Sequence, residues 1–484
     1  MRYSTTLLPF VATAAAIVVP DEATAQQLVL ETKQQVEKTV SSWPEHILPS
    51  ADDLLTYAEF SIDDIESFQP DANVIKDTLA SVINSDLGTP EITEFLSPSD
   101  YTVDDGGRHG PHGPPHKPHG PHGPHRGHFT NLTVYQAIHA SNSSTKFAKL
   151  VDDFPDLVEK LNGTSANVTL FVPTDKAFEK IPDHGKDKKP PKEFIEKIIQ
   201  YHVLPGFYPA GRVISQHTLP TAWEEEQLGG RSQRIRVSAS LFGVRLNFYS
   251  KIVFANLITS NGVVHAVDSI LVPPPPAKTL ISLFPSKFST LELAAEKVGF
   301  THHHHHSSNH STHLTGLTFF APTNLAFKKL GPRANAFLFN TPKGLHILKA
   351  LLAYHVVANE TLYSDAYYGK QKTNLSELDR GGDGHYHIDL PTLLGDKHIA
   401  VDIARWRGFI RVKLNGRVGV AIQDALAKNG VVQVVDSVLI PPHEHKGAWN
   451  DDGEIDVDDL VERFEPFVEG SETDAEPEVE AGEL

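Results

Sequence analysis

The chain has 484 residues, no cysteine and a formal net charge of −18 at pH 7. The length allows more than one domain with a full core. The lack of cysteine excludes disulfide staples, thiol nucleophiles and cysteine-based metal sites, so the stability must come from those cores. The negative charge argues against nucleic acid and anionic membranes as partners.

The first residues, 1–25, have the pattern of a secretory signal peptide. Arg2 precedes an apolar run from Leu7 to Val19, and Ala23-Thr24-Ala25 is a small-residue cleavage site. No other run is long and apolar enough to span a membrane, so no transmembrane segment is expected. The sequence predicts a secreted or cell-surface protein, with a vacuole or another lumen of the secretory pathway as the alternative.

Two low-complexity features follow. Residues 26–107 are acidic without a sustained apolar period, which predicts a weakly structured leader. Residues 108–128 are rich in His, Gly and Pro, and proline at this density predicts an extended linker. A second histidine cluster lies at 302–313.

Repeated histidines leave a metal-binding role open as an alternative, because flexible imidazoles bind Zn²⁺ or Cu²⁺ adventitiously. No cofactor is required by any motif in the sequence. A pH-responsive role is a related alternative, since acidification would protonate these tracts while an acidic C-terminal tail stays anionic. The candidate metal ligands are His109, His112, His116, His119, His122, His125, His128, His302, His303, His304, His305, His306, His310 and His313.

From residue 129 the composition becomes that of a folded domain. Asp153–Leu161 is predicted as an amphipathic helix and Val168–Pro173 as an apolar strand, with a helix starting at Thr174-Asp175. A further helix has proline at its entrance and ends at Tyr201-His202. Arg234–Leu241 alternates with period two and predicts a strand.

The same order returns about 168 residues later. Asn261–Pro274 and Asn429–Pro442 are near copies, and Asn415-Gly416 between two apolar runs predicts a β-hairpin. A repeat of this length indicates two copies of a whole domain rather than a solenoid. Helices followed by strands in each copy predict an α+β fold with mostly antiparallel sheet.

Each copy resembles a fasciclin domain. The resemblance rests on Thr169–Phe178 with Thr318–Phe327, on a Tyr-His pair in each copy and on the two Asn-Gly-Val-Val stretches. It covers 129–275 and 277–443, which leaves 444–484 as a predicted acidic disordered tail. It implies two wedge-shaped β-sandwiches with several helices, in a secreted fasciclin-like glycoprotein that acts in cell adhesion or matrix or wall interaction.

The resemblance also implies partner-binding residues, with a cell-surface or matrix or wall protein or a glycan as the partner; the oligomeric state stays unknown. These residues are Tyr201, His202, Asp268, Ile270, Tyr354, His355, Asp436 and Val438. The residues alone favour a structural interpretation: a Tyr-His pair that satisfies backbone groups at a buried helix end, and aspartates that accept turn amides. No catalytic motif is present, so a non-enzyme is predicted.

Seven Asn-x-Ser/Thr sequons predict N-glycosylation, and all of them lie within the repeat region. They are Asn131, Asn142, Asn162, Asn167, Asn309, Asn359 and Asn374.

Overall fold

The computed structural model describes residue 96 and residues 102–103, 128–165, 167–181, 190–240, 243–300, 315–369, 384–406, 409–442 and 455–468. Two domains of the same topology follow one another along these residues. The predicted signal peptide and nearly all of the predicted leader and linker lie outside them. Among the residues described, no helix has the length and apolar character needed to cross a bilayer.

The helices of the first domain are α1 (Val134–Ala140), α2 (Thr145–Asp152), α3 (Pro155–Asn162), α4 (Asp175–Glu179), α5 (Lys192–His202) and α6 (Ala210–Ile214). Its strands are β1 (Thr102–Val103), β2 (His128–Phe129), β3 (Val168–Pro173), β4 (Val203–Pro205), β5 (Thr218–Glu225), β6 (Arg231–Ser240), β7 (Gly243–Leu246), β8 (Ser250–Ile258) and β9 (Gly262–Val267).

The helices of the second domain are α7 (Ala277–Ser282), α8 (Pro285–Lys297), α9 (Asn324–Lys329), α10 (Pro332–Asn340), α11 (Pro342–Tyr354) and α12 (Val457–Val468). Its strands are β10 (Leu317–Pro322), β11 (Val356–Ala358), β12 (Thr361–Leu362), β13 (Tyr367–Tyr368), β14 (Gly384–Pro391), β15 (His398–Trp406), β16 (Phe409–Leu414), β17 (Val418–Ala427) and β18 (Gly430–Val435).

Each domain is built on one curled, mixed sheet. The strand order is β4-β3-β9-β8-β7-β6-β5 in the first domain and β11-β10-β18-β17-β16-β15-β14 in the second. The prediction of two tandem α+β domains is confirmed. Most neighbouring strands are antiparallel, but β3 pairs in parallel with β9, and β10 with β18.

The Asn-Gly repeat makes this parallel pairing possible. A Cβ at Gly262 would lie 2.1 Å from the carbonyl oxygen of Val168, and one at Gly430 would lie 2.0 Å from that of Leu317. Only glycine permits such a close backbone approach. The buried Asn261 side chain accepts from the Val134 N–H at 2.8 Å and donates to the Leu161 carbonyl at 2.8 Å, which fastens α1 and α3 to the ladder.

Helix α12 lies in the segment predicted as a disordered acidic tail, so the structure differs from that prediction over 457–468. Leu460 and Phe464 are fully buried in the core of the second domain, one helical turn apart. Lys343 pairs with Glu465 at 2.9 Å on the outer side. A helix can be rich in acids and still dock when its apolar residues share one face.

The two domains meet through a buried polar interface. Asp365 of the second domain is 2% exposed and accepts from the backbone N–H groups of His217 at 2.8 Å and Thr218 at 2.7 Å in the first. The Thr218 hydroxyl also donates to Asp365. The guanidinium of Arg234, 4% exposed, lies 4.0 Å from this carboxylate.

Further contacts extend the interface. Gln233 donates to the carbonyl of Ala427 at 3.1 Å, and Arg236 donates to that of Gln423 at 2.9 Å. Asp424 is 1% exposed beneath them, and burial, followed by the nearby charge of Asp365, raises its pKa. Because these groups are satisfied only when the domains are together, the interface fixes the relative orientation of the domains.

We expect the Asp365→Asn substitution to weaken the contact between the two domains. The substitution leaves the buried Arg234 without its countercharge, which should lower the free energy of unfolding by about 3 kcal/mol. Denaturant unfolding followed by tryptophan fluorescence measures this loss. Asp389→Asn is the matched control, because its side chain is 60% exposed and the change should stay within about 0.5 kcal/mol. Equal stability of the two variants would contradict the expectation.

Candidate functional site: the Tyr-His pairs and the strand-end aspartates

The two tyrosines implied as partner-binding residues are fully buried. The Tyr201 hydroxyl at the end of α5 donates to the Arg234 carbonyl at 2.8 Å and accepts from the Asn247 amide at 2.8 Å. Tyr354 at the end of α11 makes the same pair of bonds, to the carbonyl of His398 at 3.1 Å and from the amide of Asn415 at 2.9 Å. Each tyrosine therefore links a helix end to one strand and to one hairpin turn of its own sheet.

The two histidines join a helix to the chain that follows the last strand. The Nδ1 atom of His202 lies 2.7 Å from the Ile198 carbonyl, and its Nε2 accepts from the Leu271 N–H at 2.9 Å. His355 has the same contacts, with Leu351 at 2.8 Å and Leu439 at 2.9 Å. These partners require a neutral ring with the proton on Nδ1. Burial lowers the pKa of both histidines to about 4, which keeps the rings neutral at physiological pH.

Asp268 and Asp436 occupy equivalent positions directly after β9 and β18. The Asp268 carboxylate is 32% exposed; it accepts from the Lys251 N–H at 2.8 Å and pairs with Lys180 at 3.1 Å. Asp436 is half-buried and accepts from the Thr323 hydroxyl at 2.9 Å. Ile270 and Val438 are 8% and 4% exposed and pack into apolar clusters. Of the eight predicted residues, only the two aspartates are accessible.

One difference between the copies concerns the middle of the last strand. The buried His265 accepts from the Asn256 N–H at Nδ1 and donates from Nε2 to the Tyr208 carbonyl at 2.8 Å, whereas Gln433 at the same place donates to the Leu362 carbonyl at 3.0 Å and to Asp424 at 3.0 Å. Both side chains satisfy buried backbone groups, so the position serves the fold. The sequence reasoning missed Asp424. This buried carboxylate stands at the position of the second copy where the first copy has Asn256.

The predicted metal ligands fall almost wholly outside the described residues, and zinc or copper binding by them stays a prediction. His128 is the exception: it lies in β2, with its ring 5.7 Å from that of Phe254. In the part of the chain that the structure describes, no group of three or more His, Asp or Glu side chains is arranged to hold a metal ion.

Five of the predicted glycosylation sites lie among the described residues. Asn131, Asn142, Asn162 and Asn167 are exposed, and Asn359 is half-buried. Asn309 and Asn374 lie outside the described residues.

We expect the Tyr-His geometry to make stability depend on pH. An unfolded histidine titrates near 6.5, so between pH 6.5 and 4 the unfolded chain binds more protons than the folded one. The free energy of unfolding should therefore fall as the pH drops through this window, by at most about 1.4 kcal/mol per pH unit for each buried histidine. Above pH 6.5 these groups add no slope. Denaturant midpoints at pH 7.5, 6.0 and 5.0 measure the effect.

His355→Gln should reduce that slope and cost about 1–3 kcal/mol at pH 7.5, because the buried backbone groups lose partners. His346→Gln on the exposed side of the same helix is the control and should change neither quantity. An unchanged slope in His355→Gln would show that His355 binds protons equally in the folded and the unfolded chain and would contradict the expectation.

Comparison with known proteins reveals relatives along most of the chain. It is 30% identical over 364 residues to Aurofusarin biosynthesis cluster protein S of Gibberella zeae, covering 69% of this chain and 86% of that protein. It is 28% identical over 120 residues to Cell surface glycolipoprotein MPB83 of Mycobacterium bovis, covering 25% of this chain and 49% of that protein.

A FAS1 domain pair from the insect cell adhesion molecule Fasciclin I matches with a TM-score of 0.29 and 17% identity, over 62% of this chain and 97% of that one. The family model of the fasciclin domain matches residues 142–273 and 286–441, which are the two structural repeats. The chain therefore belongs to the fasciclin domain family.

Proposed function

We propose that this protein is a secreted or cell-surface, non-catalytic interaction protein that binds a matrix, wall or cell-surface partner through its two fasciclin domains. The proposal is supported by family membership and by the relative named as a cell-surface glycolipoprotein. The structural support for the proposal is the buried interface at Asp365. It holds the two domains in one orientation, so that equivalent surfaces of both can contact one partner.

Asp268 and Asp436 are the residues that we assign to this contact. The tyrosines and histidines beside them are buried and use their polar atoms within the domain, so they fasten the chain on which the aspartates stand. A carboxylate that is one-third exposed retains capacity for a charged or hydrogen-bonding group of a partner. Two such groups on one rigid body gain avidity when both are engaged.

The test is binding of the labelled, full-length protein to the surface fraction of the cells that secrete it. Asn keeps the size and the acceptor oxygen of Asp, so Asp268→Asn and Asp436→Asn should fold normally. We expect the double variant to lose about tenfold or more in apparent affinity, and each single variant to lose less. Asp156→Asn with Asp458→Asn makes the same charge change on exposed helix positions, one in each domain, and should bind normally. Undiminished binding of the first pair would reject the assignment.

A second candidate function comes from the relative that is matched over 86% of its length and is named as a protein of an aurofusarin biosynthesis cluster. We infer from it an accessory role in an extracellular biosynthesis, in which the rigid domain pair binds enzymes instead of a surface. Affinity capture from the culture medium distinguishes the two. Recovery of secreted biosynthetic enzymes with the intact chain favours this role, and recovery of wall or membrane components favours the first.

A further inference from the structure

We propose that the solvent-facing side of strands β14, β15 and β16 binds an acidic glycan, a chain containing hexuronic acid units. This surface belongs to the second domain only. It is separate from Asp268 and Asp436, so the proposal does not depend on their role.

An aromatic pair marks one end of this surface. Trp406 and Phe409 face each other across the β15–β16 hairpin as its last paired residues. They are 53% and 41% exposed, among the most exposed large apolar side chains of the described residues. Directly opposite residues on neighbouring strands point to the same side of a sheet, so the two rings form one platform. Neighbouring exposed apolar side chains of this size are typical of a binding surface.

A row that contains one guanidinium and one imidazole lies next to this platform. His385 pairs with Ala404, and Ala404 pairs with Arg411, so these residues form a row across three strands. His385 and Arg411 are exposed, and they stand about 10 Å apart because two strand spacings separate them. The small Ala404 leaves a depression between them. An open surface groove of about 590 Å³ lies at this end of the sheet, and His385, Ala404, Trp406, Phe409 and Arg411 are among the residues that line it.

The chemistry of this row and platform matches a uronic acid. The C–H faces of a sugar ring stack on aromatic rings, and a sugar carboxylate accepts two hydrogen bonds from a guanidinium. None of the described residues that line the groove is acidic. The next row across the three strands contains His387, Asp402 and Lys413. The Asp402 carboxylate lies 2.7 Å from Nδ1 of His387, and Lys413 pairs with Asp402 on the neighbouring strand. Because Asp402 has these two neighbours, this row does not repel an anion strongly.

The platform is also held rigidly. Arg405 points to the inner side of the sheet, is 4% exposed, and donates to the Ser215 carbonyl of the first domain at 3.3 Å. The tip of the hairpin is therefore tied to the first domain. A rigid aromatic surface loses little conformational entropy when a ligand binds.

Comparison of the two domains shows that the platform is an addition to the fold. The hairpin of β6 and β7 has four residue pairs, from Val237 with Leu246 to Ser240 with Gly243. The equivalent hairpin of β15 and β16 starts at Val401 with Leu414 and has six. The two extra pairs include Trp406 and Phe409. The first domain folds with the shorter hairpin, so the extension is not needed for the core.

The test uses the full-length, glycosylated protein and a hexagalacturonate as the probe, with binding measured by calorimetry. The fully methyl-esterified hexamer is the matched ligand, since it keeps the sugar rings and loses the charges. We expect the acidic hexamer to bind at least about tenfold more tightly than the ester, and added salt to weaken it. Trp406→Ala and Arg411→Gln should each lower the affinity by about tenfold or more.

Two substitutions serve as controls. Phe300→Ala removes an aromatic ring of similar exposure, and Arg417→Gln removes an exposed guanidinium at the other end of β16; both should bind as the unchanged protein does. Unaltered thermal unfolding of each variant checks the fold. The proposal is overturned if the acidic hexamer does not bind or if the ester binds equally well. It is also overturned if the Trp406→Ala and Arg411→Gln variants bind the acidic hexamer with unchanged affinity. The proposal is also overturned if the protein binds vesicles containing anionic lipid but not the hexamer, and if Trp406→Ala abolishes that vesicle binding. The surface would then be assigned to a membrane.

Discussion

The parallel pairing of the first long strand with the last one is the interaction on which each domain depends. It joins residues about 95 to 115 positions apart, so the other strands of the long sheet path have to fold between two strands that lie side by side. The pairing requires a backbone approach that a side chain at Gly262 or Gly430 would block. The preceding asparagine then uses its buried amide to attach the helical layer to the same ladder.

The shared plan of the two domains separates buried from accessible members of the same motifs. The Tyr-His pair, placed at the end of a helix, satisfies carbonyl and amide groups of three other segments and exposes nothing to solvent. The aspartate beyond the last strand is held in place by this arrangement and remains accessible. Residues that stand together in a sequence motif thus have different tasks, and burial decides which task each of them has.

Much of the fold could be predicted because its signals are local. Val168–Pro173 and the Asn415-Gly416 hairpin follow from apolar runs and turn chemistry. Helix α12 was not predicted, because the high density of acidic residues in 444–484 indicates disorder more strongly than the four-residue spacing of Leu460 and Phe464 indicates a helix. The ion pair of Arg234 and Asp365 joins residues far apart and leaves no local pattern. Alternation in β15 and β16 indicates two faces but does not show that one of them exposes Trp406 and Phe409.

The parallel ladder has a mechanical consequence for the second domain. The chain enters β10 at one end of the ladder and leaves β18 at the other, so a pull on the two sides of the domain acts along the strands. Such a load shears the hydrogen bonds of the ladder together, whereas a hairpin pulled at its open end loses them one after another. The ladder therefore resists tension between the start of β10 and the end of β18 more strongly than a hairpin of the same length would.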